Sequence, residues 1–457
     1  MIEFVINTAF DILDMEIKSY VLMNKYDEIP YALPSDLDIC VPQQDFLRLD
    51  EIMCKISKAT GLVLTQKIRH NYRKCAYIFT PLHVMEKFRL QLDFFSDFSV
   101  AATPLLIPYQ EIQRKTRKCG RYTIPDYDLE YTFLLMRRIY KNDFDAEHCA
   151  VLANVLKGRE VKCIEYAANY FERSLMESVC DLILKNDFQT LAERHIELKK
   201  ALKKCSRTHA KRLYFLKYWT DFVFRAFYRA RYPVGMSVAL LAPDGGGKTT
   251  VIDALKTTCW GSFHGIQVEY FRPNLLANAG HYKPINPTEP SKTNPNPHDV
   301  STDGKIKSLA RFFFYNLDFL FGGVKIQLLK IKKKLIVFDR YYYDYFVDLK
   351  RYKYSFSPLI PKIFRFMIPS PNVVFILIGT PSVLYQRKKE LDIEELSRQI
   401  KAYKSLKKMY KKAVLVDVDL PLNDVVDEIT KSIILYKAGR TAKAMKRKID
   451  SKGIIIC

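Results

Sequence analysis

The sequence has few of the features that mark secreted, zinc-binding or membrane-spanning chains. Its ten cysteines are scattered, without the short paired spacing of a zinc site or the dense framework of a small secreted domain. The first 18 residues carry four acids and lack the basic start and apolar run of a signal peptide. The most apolar helix candidate, Leu309 to Phe321, is interrupted by polar residues and is shorter than the roughly 20 residues that cross a bilayer. These absences predict a soluble, cytoplasmic protein with reduced thiols.

Negative charge is also scarce relative to positive charge. The 457 residues include 73 Lys and Arg against 50 Asp and Glu, so the net charge is +23, which favours anionic partners. Much of the excess lies in Lys199 to Lys211, Lys404 to Lys412 and Lys437 to Lys452, typical of a solvated surface or a peripheral docking feature. We expect at most a weak contact of the basic tail with an anionic membrane or polyanion. Nucleic-acid binding is supported only by the net charge, because the sequence contains no recognisable nucleic-acid recognition motif.

The chain has three composition regimes and a tail. Residues 1–125 mix short apolar runs with a helical pattern, which predicts a small α/β domain. In residues 126–232 apolar side chains recur at spacings of three and four with almost no Gly or Pro, which predicts a helical connector. Residues 233–438 alternate strands with helices, the pattern of a parallel sheet covered on both faces, and residues 439–457 form a basic tail. The five predicted strands are Ser237 to Leu241, Gln267 to Phe271, Leu335 to Phe338, Val373 to Ile378 and Val414 to Val416.

A glycine-rich loop follows the first of these strands and precedes a helical segment. Its residues are Ala242, Pro243, Asp244, Gly245, Gly246, Gly247, Lys248, Thr249 and Thr250. The glycines let backbone N–H groups surround phosphate oxygens, Lys248 can reach the β- and γ-phosphates, and the Thr249 hydroxyl can ligate Mg²⁺. Ala242 stands where the usual pattern has Gly. The loop predicts ATP and Mg²⁺ as ligands and, with the five strands, a P-loop NTPase-type α/β fold with flanking helices.

An acidic residue at the end of the third predicted strand completes this candidate site. Asp339 follows a buried apolar run, where it can organise Mg²⁺ or its waters beside the phosphates. Arg340 comes next and can meet a second anion, although a surface ion pair of the two residues is an alternative. The pattern therefore predicts catalytic roles for Lys248, Asp339 and Arg340.

The glycine loop followed by Asp339-Arg340-Tyr341 resembles the thymidylate kinase family, and the resemblance covers roughly the last 220 residues. It implies that Asp244 helps to hold the acceptor sugar and that Asp339 and Arg340 serve the metal and the acceptor phosphate. The strand Val373 to Ile378 and the residues after it resemble the segment that leads into the family's lid. The resemblance therefore makes Arg387 a candidate for stabilising the transferring phosphoryl group.

The same resemblance has departures that bear on the acceptor. The family's Arg-Glu-Pro-type stretch is reduced to Phe271-Arg272-Pro273-Asn274, which keeps Arg272 as a substrate candidate but lacks the acid. A Pro- and Asn-rich insertion, Pro273 to Asp303, follows. The aromatic run from Tyr341, itself a substrate candidate, is similar to thymidylate-kinase-like proteins associated with cell-surface polysaccharide synthesis.

A second candidate site lies near the start of the chain. Asp36 and Asp38 are one residue apart on a predicted strand, so both face the same side, and Asp93 ends a later apolar strand. Ser-Asp-x-Asp with a later strand Asp resembles the DNA-polymerase-beta-like nucleotidyltransferases, whose three carboxylates bind two metal ions. The Gly-Ser helix start of that family is absent or degenerate here. An active transferase, a vestigial or binding domain, and a chance match with solvated acids all remain open.

The function expected from these patterns is Mg²⁺-dependent transfer of the ATP γ-phosphate to a nucleoside monophosphate. One alternative is a kinase of a sugar or glycan intermediate in surface polysaccharide synthesis. Another is a nucleotidyltransferase regulated by a nucleotide-binding, kinase-like domain. The expected partners are a nucleotide and a small phosphorylated or sugar acceptor, and the resemblance adds a homodimer.

Overall fold

The computed structural model describes residues 1–33, 35–83, 88–100, 106–208, 214–276 and 304–456. The chain divides into two compact units. The first comprises Met1–Phe79, Arg89–Phe227 and Ile454–Cys457, and the second comprises Thr80–Phe88 and Tyr228–Gly453. From residue 277 onward, the predicted Pro- and Asn-rich insertion lies outside the described residues.

The first unit opens with a mixed five-stranded sheet. Its elements are α1 (Ile2–Glu16), β1 (Val21–Leu22), β2 (Leu37–Cys40), α2 (Gln43–Thr60), β3 (Val63–Asn71), β4 (Lys74–Thr80), β5 (Leu90–Phe95), α3 (Tyr109–Arg114), β6 (Thr116–Cys119) and β7 (Tyr122–Pro125). The strand order is β1-β2-β5-β4-β3. Strands β2 and β5 are parallel and place Asp38 opposite Asp93, whereas β4 runs antiparallel to β5.

The segment after β7 is helical, in agreement with its apolar periodicity. Its helices are α4 (Tyr127–Lys141), α5 (Ala146–Leu156), α6 (Glu160–Ala167), α7 (Arg173–Leu184), α8 (Phe188–Glu193), α9 (His195–Thr208) and α10 (Tyr214–Arg231). Up to Phe227 they belong to the first unit rather than to a separate connector. The reason is a shared core, in which Val21, Cys40 and Phe95 of the strands join the buried faces of these helices.

The second unit contains a parallel five-stranded sheet, as predicted. Its elements are β8 (Met236–Leu241), α11 (Lys248–Thr258), β9 (Ile266–Tyr270), α12 (Lys305–Ile331), β10 (Leu335–Asp339), α13 (Leu359–Phe364), β11 (Val373–Ile378), α14 (Pro381–Arg387), α15 (Ile393–Met409), β12 (Ala413–Asp417), α16 (Leu422–Ala444) and β13 (Lys448–Ile449). The last strand, β14 (Ile455–Ile456), belongs to the first unit. The strand order is β12-β11-β8-β10-β9, and all pairs are parallel. The strand that carries the glycine loop, β8, is therefore central.

Apolar side chains cover both faces of this sheet. Val238 and Leu240 of β8 enter one core with α11, α15 and α16, while Ala239 and Leu241 enter the other with α12 and the tyrosines after β10. Burial on both faces explains why the central strands are continuous apolar runs rather than alternating ones. Helix α16 continues past residue 438, so the predicted domain boundary falls inside a helix.

Among the described residues, no helix combines the length and the apolar character needed to cross a membrane.

Candidate functional site

The glycine loop lies at the carboxyl edge of the second unit's sheet. Strand β8 ends at Leu241 and helix α11 begins at Lys248, so the loop occupies the turn between a buried strand and a helix N-terminus. Backbone N–H groups at such a terminus have no intrahelical partners and carry partial positive charge. The position therefore suits a phosphate group, which is the ligand that the glycine-rich motif predicts.

Two of the three glycines are required by the backbone itself. Gly245 and Gly247 have φ values of +79° and +71°, in the left-handed region that favours glycine. A Cβ on Gly245 would lie 2.5 Å from the carbonyl oxygen of Leu384 in α14, so that helix packs directly against the loop. A Cβ on Gly246 would lie 2.6 Å from the Cβ of Ala242. The loop is therefore held in a tight turn, and Ala242 in place of Gly does not prevent it.

Lys248 points its ammonium group back over the loop. Its Nζ donates hydrogen bonds to the carbonyl oxygens of Ala242 at 3.2 Å and Pro243 at 3.3 Å. Burial, reinforced by Arg340, lowers the pKa of Lys248 from its ordinary 10.5 to about 7, although Asp339 and Asp244 act in the opposite direction. A bound phosphate would supply negative charge beside Lys248 and so stabilise its ammonium form.

Asp339 ends β10, the strand next to β8. In the parallel register Asp339 pairs with Leu240, so it lies at the same sheet edge as the loop, and its carboxylate acts electrostatically on Lys248. Its Oδ1 is buried and has no hydrogen-bond partner among the described residues. A buried carboxylate oxygen without a partner is costly unless a ligand satisfies it. The residues present therefore fit Mg²⁺, which takes oxygen ligands and would be held between Asp339 and the hydroxyl of Thr249 at the start of α11.

Arg340 is drawn into a buried network of charges. Its φ of +69° turns the chain at the end of β10. Its guanidinium donates to Asp244 at 2.8 Å and to Asp344 at 3.1 Å, and only 3% of the residue is exposed. Arg351 also donates to Asp244 and lies 3.3 Å from Asp348. Two guanidinium groups are thus matched by three carboxylates beside the glycine loop.

Sequence reasoning assigned no role to Asp344 or Arg351, although both lie in the aromatic stretch that follows Arg340. Asp344 is fully buried and accepts hydrogen bonds at 3.0 Å from the hydroxyls of Tyr352 and Tyr403. Burial raises the pKa of Asp344, and Arg340 opposes that rise. The available signal was an acid four residues after Arg340 inside an apolar run, because a buried acid requires a partner.

Three other predicted site residues are placed away from the loop contacts described above. Arg272 is buried and forms an ion pair with Asp318 of α12 at 2.9 Å. Tyr341 lies in the core, with its hydroxyl donating to the carbonyl oxygen of Pro369. Arg387 is exposed at the end of α14 and donates to the carbonyl oxygen of Val418 at 3.0 Å. Their substrate and catalytic roles stay predictions, and Arg387 remains one helical turn from Leu384, which touches the loop.

The three acids predicted to bind metal in the first unit, Asp36, Asp38 and Asp93, form ion pairs with basic side chains. Asp38 accepts hydrogen bonds from Lys74 at 3.0 Å and from Arg137, and Lys74 is 3.5 Å from Asp93. Arg137 also lies 4.0 Å from Asp36. Burial alone would raise the pKa of Asp38, but Lys74 and Arg137 outweigh it and hold that pKa below its ordinary value. For Asp93, burial prevails and raises the pKa.

Throughout the described ranges, no group of three or more His, Cys, Asp or Glu residues is arranged to hold a metal ion. The metal site predicted at Asp36, Asp38 and Asp93 therefore stays a prediction. At the glycine loop the predicted protein ligands are Thr249 and Asp339, and Mg²⁺ commonly keeps waters and phosphate oxygens as its other ligands.

Comparison with solved structures returns thymidylate kinases. The enzyme from Candida albicans matches with 14% identity and a TM-score of 0.31, over 44% of this chain and 91% of that one. The enzyme from Ehrlichia chaffeensis matches with 17% identity and a TM-score of 0.29, over 44% of this chain and 98% of that one. No protein-family model and no curated protein matches the sequence. TM-scores this low do not assign a fold, so the α/β assignment rests on the parallel sheet itself.

Proposed function

We propose that the second unit is an ATP-dependent phosphotransferase that moves the γ-phosphate of ATP to a nucleoside monophosphate. The observation that carries the proposal is the convergence of three groups at one sheet edge. They are the tight glycine loop, the partly buried Lys248 and the carboxylate of Asp339 with its unpartnered oxygen. Phosphoryl transfer depends on positioning and on stabilising charge, and these groups supply both.

In this mechanism the loop N–H groups bind the β-phosphate and Lys248 donates to oxygens of the β- and γ-phosphates. A phosphate oxygen of the acceptor forms a bond to the γ-phosphorus while the bond from that phosphorus to the bridging oxygen breaks, and ADP leaves with the electron pair. Mg²⁺, when bound to Thr249 and Asp339, supplies neutralisation of the phosphate charge. Asp244, which is anchored by Arg340 and Arg351, would help to hold the acceptor.

A second acceptor class, a sugar or glycan intermediate, is favoured by one observation. Arg340 and Arg351 are both already paired with carboxylates, and Arg272 is paired with Asp318. Guanidinium groups that are neutralised by acids attract an acceptor phosphate less than unpaired ones would. Carboxylates such as Asp244 and Asp348 are good acceptors for hydroxyl groups. The acceptor class is therefore the part of the proposal that an experiment should decide first.

The loop is tested by Lys248→Ala in the full chain, with Lys256→Ala on the same helix as a matched control. Lys256 is exposed and forms an ion pair with Asp253 at the surface. We expect Lys248→Ala to abolish turnover of ATP and Lys256→Ala to leave it unchanged, measured as ADP release. Equal turnover by both variants would remove the loop from the mechanism.

The acceptor is tested with ATP labelled at the γ-phosphate. Thymidine monophosphate and a panel of free sugars are offered separately, and labelled product is counted. Transfer to the nucleotide supports the first acceptor class, and transfer to a sugar supports the second. ATP binding without transfer to either would contradict the kinase and favour a nucleotide-binding module that regulates the first unit.

The metal site is tested by Asp339→Asn, which removes charge without removing volume. The substitution should weaken the Mg²⁺-dependent part of ATP binding by about tenfold to a hundredfold, since loss of a group that orients a metal has effects of that order. Binding of ATP in the presence of a chelator should change little. An Asp253→Asn variant, altered at an exposed acid of α11, is the control.

A further inference from the structure

A cavity of about 330 Å³ lies at the opposite edge of the second unit's sheet from the glycine loop. Pro233, Asn372 and Lys412 line it. Asn372 and Lys412 directly precede β11 and β12, and Pro233 lies shortly before β8. Because these strands are parallel, their amino ends share one edge, far from the carboxyl ends that border the loop. The volume is within the range of about 300 to 1,000 Å³ that small-molecule sites occupy.

The charges that line this cavity all have one sign. Five of its lining residues are cationic and none is Asp or Glu, the cations being Arg231, Lys330, Lys412, Arg440 and Lys443. None of the five forms an ion pair with a carboxylate in the part of the chain that the structure describes. A concave surface lined by one sign of charge concentrates ions of the opposite sign. The cavity is distinct from the glycine loop in both position and composition.

Lys330, in the last turn of α12, is the most informative of the five. Only 9% of the residue is exposed, and its ammonium group has no hydrogen-bond or ion-pair partner among the described residues. Burial, together with the neighbouring cations Arg440 and Lys412, lowers the pKa of Lys330 to about 8. An ammonium group on a mostly buried residue, beside two other cations, is unfavourable unless an anion compensates it.

Neighbouring groups hold the lining in place. Arg440 of α16 donates to the carbonyl oxygens of Gly235, at 3.3 Å, and Pro233, so its guanidinium is anchored while further N–H donors remain. The hydroxyl of Tyr436 accepts a hydrogen bond from Asn372 at 2.8 Å, which leaves its own hydrogen to be donated. Anchored donors reduce the entropy that a ligand must overcome on binding.

Stabilisation of helix ends is the main structural alternative. Helices α12 and α16 end near this cavity, and cations in the last turn of a helix interact favourably with its carbonyl groups. That effect accounts for exposed residues such as Lys443. It does not account for Lys330, a mostly buried residue whose ammonium bonds to no carbonyl oxygen in the described ranges.

We propose that this cavity is a second binding site, independent of the glycine loop, for a ligand that carries a di- or triphosphate group. Five cations exceed what a single phosphate would require, which is why the proposal names an oligophosphate. The group could belong to a nucleotide or to inorganic polyphosphate, and the two sources share the same chemistry at the cavity.

The test uses full-length protein with Lys248→Ala, so that the glycine loop does not compete for the probe. Inorganic tripolyphosphate and ADP are titrated separately by calorimetry, and the melting temperature is recorded with and without each. Lys330→Met is added in one variant and Lys332→Met in another. Lys332 is exposed, lies two residues away and does not line the cavity, so it is a matched control.

We expect tripolyphosphate to bind the Lys248→Ala protein, and Lys330→Met to weaken that binding by about tenfold to a hundredfold, the effect of removing one hydrogen bond to a charged group. Lys332→Met should leave it within about twofold. Binding of ADP as well would identify a nucleotide, whereas failure of ADP to bind would identify an inorganic ligand. Absence of tripolyphosphate binding, or binding that Lys330→Met leaves intact, would overturn the proposal.

The unliganded protein separates the site from the structural alternative. Removing an uncompensated buried charge should keep or raise the melting temperature of the Lys330→Met variant, whereas loss of a helix-end contact should lower it. If Lys330→Met does not fold, Lys412→Met replaces it, because Lys412 is exposed and its loss should weaken tripolyphosphate binding without affecting the core. Unchanged affinity in that variant would then count against the site.

Discussion

Arg340 and Asp244 form a buried ion pair, with 2.8 Å between the guanidinium nitrogen and the carboxylate oxygen. The two residues are 96 positions apart, and the pair joins the end of β10 to the glycine loop. Arg340 also binds Asp344, so one guanidinium connects the loop to the aromatic core under it. The geometry of the loop therefore depends on a contact outside the loop.

Replacement of Arg340 by Met should destabilise the second unit strongly. The substitution leaves the carboxylate of Asp344 buried with one fewer donor, and loss of one partner of a buried pair costs about 3–5 kcal/mol. Unfolding by urea would measure the change. The control is Lys256→Met, which breaks an exposed pair worth about 0–1 kcal/mol. Equal effects of the two substitutions would show that the Arg340 pair is not buried as described.

Affinity for ATP should fall as pH rises above 7. The pKa of Lys248 is about 7 in the protein without ligand, and a bound phosphate would raise it. The ammonium form, which binds phosphate, is half populated near pH 7, approaches completion at lower pH and is lost at higher pH. The dissociation constant should therefore rise about tenfold between pH 7 and pH 8.5, until the pKa of the complex is approached.

Calorimetry at pH 8 in two buffers of different ionisation enthalpy would detect the proton that Lys248 takes up on binding. Both proteins carry Lys330→Met, so that the proposed second cavity does not contribute, and the control with Lys248→Met, which cannot take up a proton at the loop, should show little pH dependence in this range. An affinity for ATP that is constant from pH 6 to pH 9 in the protein that keeps Lys248 would contradict the assignment.

Two glycines of the loop should respond differently to Ala. Both have positive φ, so each substitution should cost roughly 1–2 kcal/mol from backbone strain. A Cβ at Gly247 would have no atom within 4 Å, whereas a Cβ at Gly245 would collide with the carbonyl oxygen of Leu384. Gly245→Ala should therefore lower the melting temperature more than Gly247→Ala, and it should also displace α14. The reverse order would refute the close packing of α14 on the loop.

Asp38 in the first unit offers a separate test of charge. Lys74 and Arg137 hold its pKa below the ordinary 3.8, so its contribution to stability is present above pH 4 and is lost as the pH falls through the lowered pKa. Asp38→Asn should remove this part of the acid sensitivity and destabilise the unit by about 3–5 kcal/mol at pH 7. Hydrogen exchange, read by mass spectrometry on β2 and β5, would locate the effect.

A titration with Mn²⁺ distinguishes the ion-pair cluster from the metal site that the sequence pattern predicts. If Asp36, Asp38 and Asp93 hold metal, Mn²⁺ should protect β2 and β5 from exchange in the unaltered protein and not in Asp38→Asn. Protection that is the same in both proteins would exclude Asp38 as a ligand.

Several features of the second unit could be predicted from local sequence. The ends of all five strands lie within one residue of the predicted ends, because a strand buried on both faces is a continuous apolar run that loops and helices interrupt. The glycine loop was equally clear, since positive φ at Gly245 and Gly247 is a local requirement that only glycine meets easily. Alternation of strand and helix then indicated a parallel sheet.

What local patterns could not determine was the choice of partners among distant residues. The role of Arg340 toward an acceptor phosphate stays a prediction, but its pairing with Asp244 and Asp344, and that of Arg351 with Asp244 across 107 positions, is not visible in the sequence. The helices after residue 126 join the first unit because their apolar faces share its core, which periodicity alone does not specify. Strand positions and the loop depend on neighbouring residues, whereas charge pairing, burial of Lys330 and the limits of each unit depend on contacts that exist only once the chain has folded.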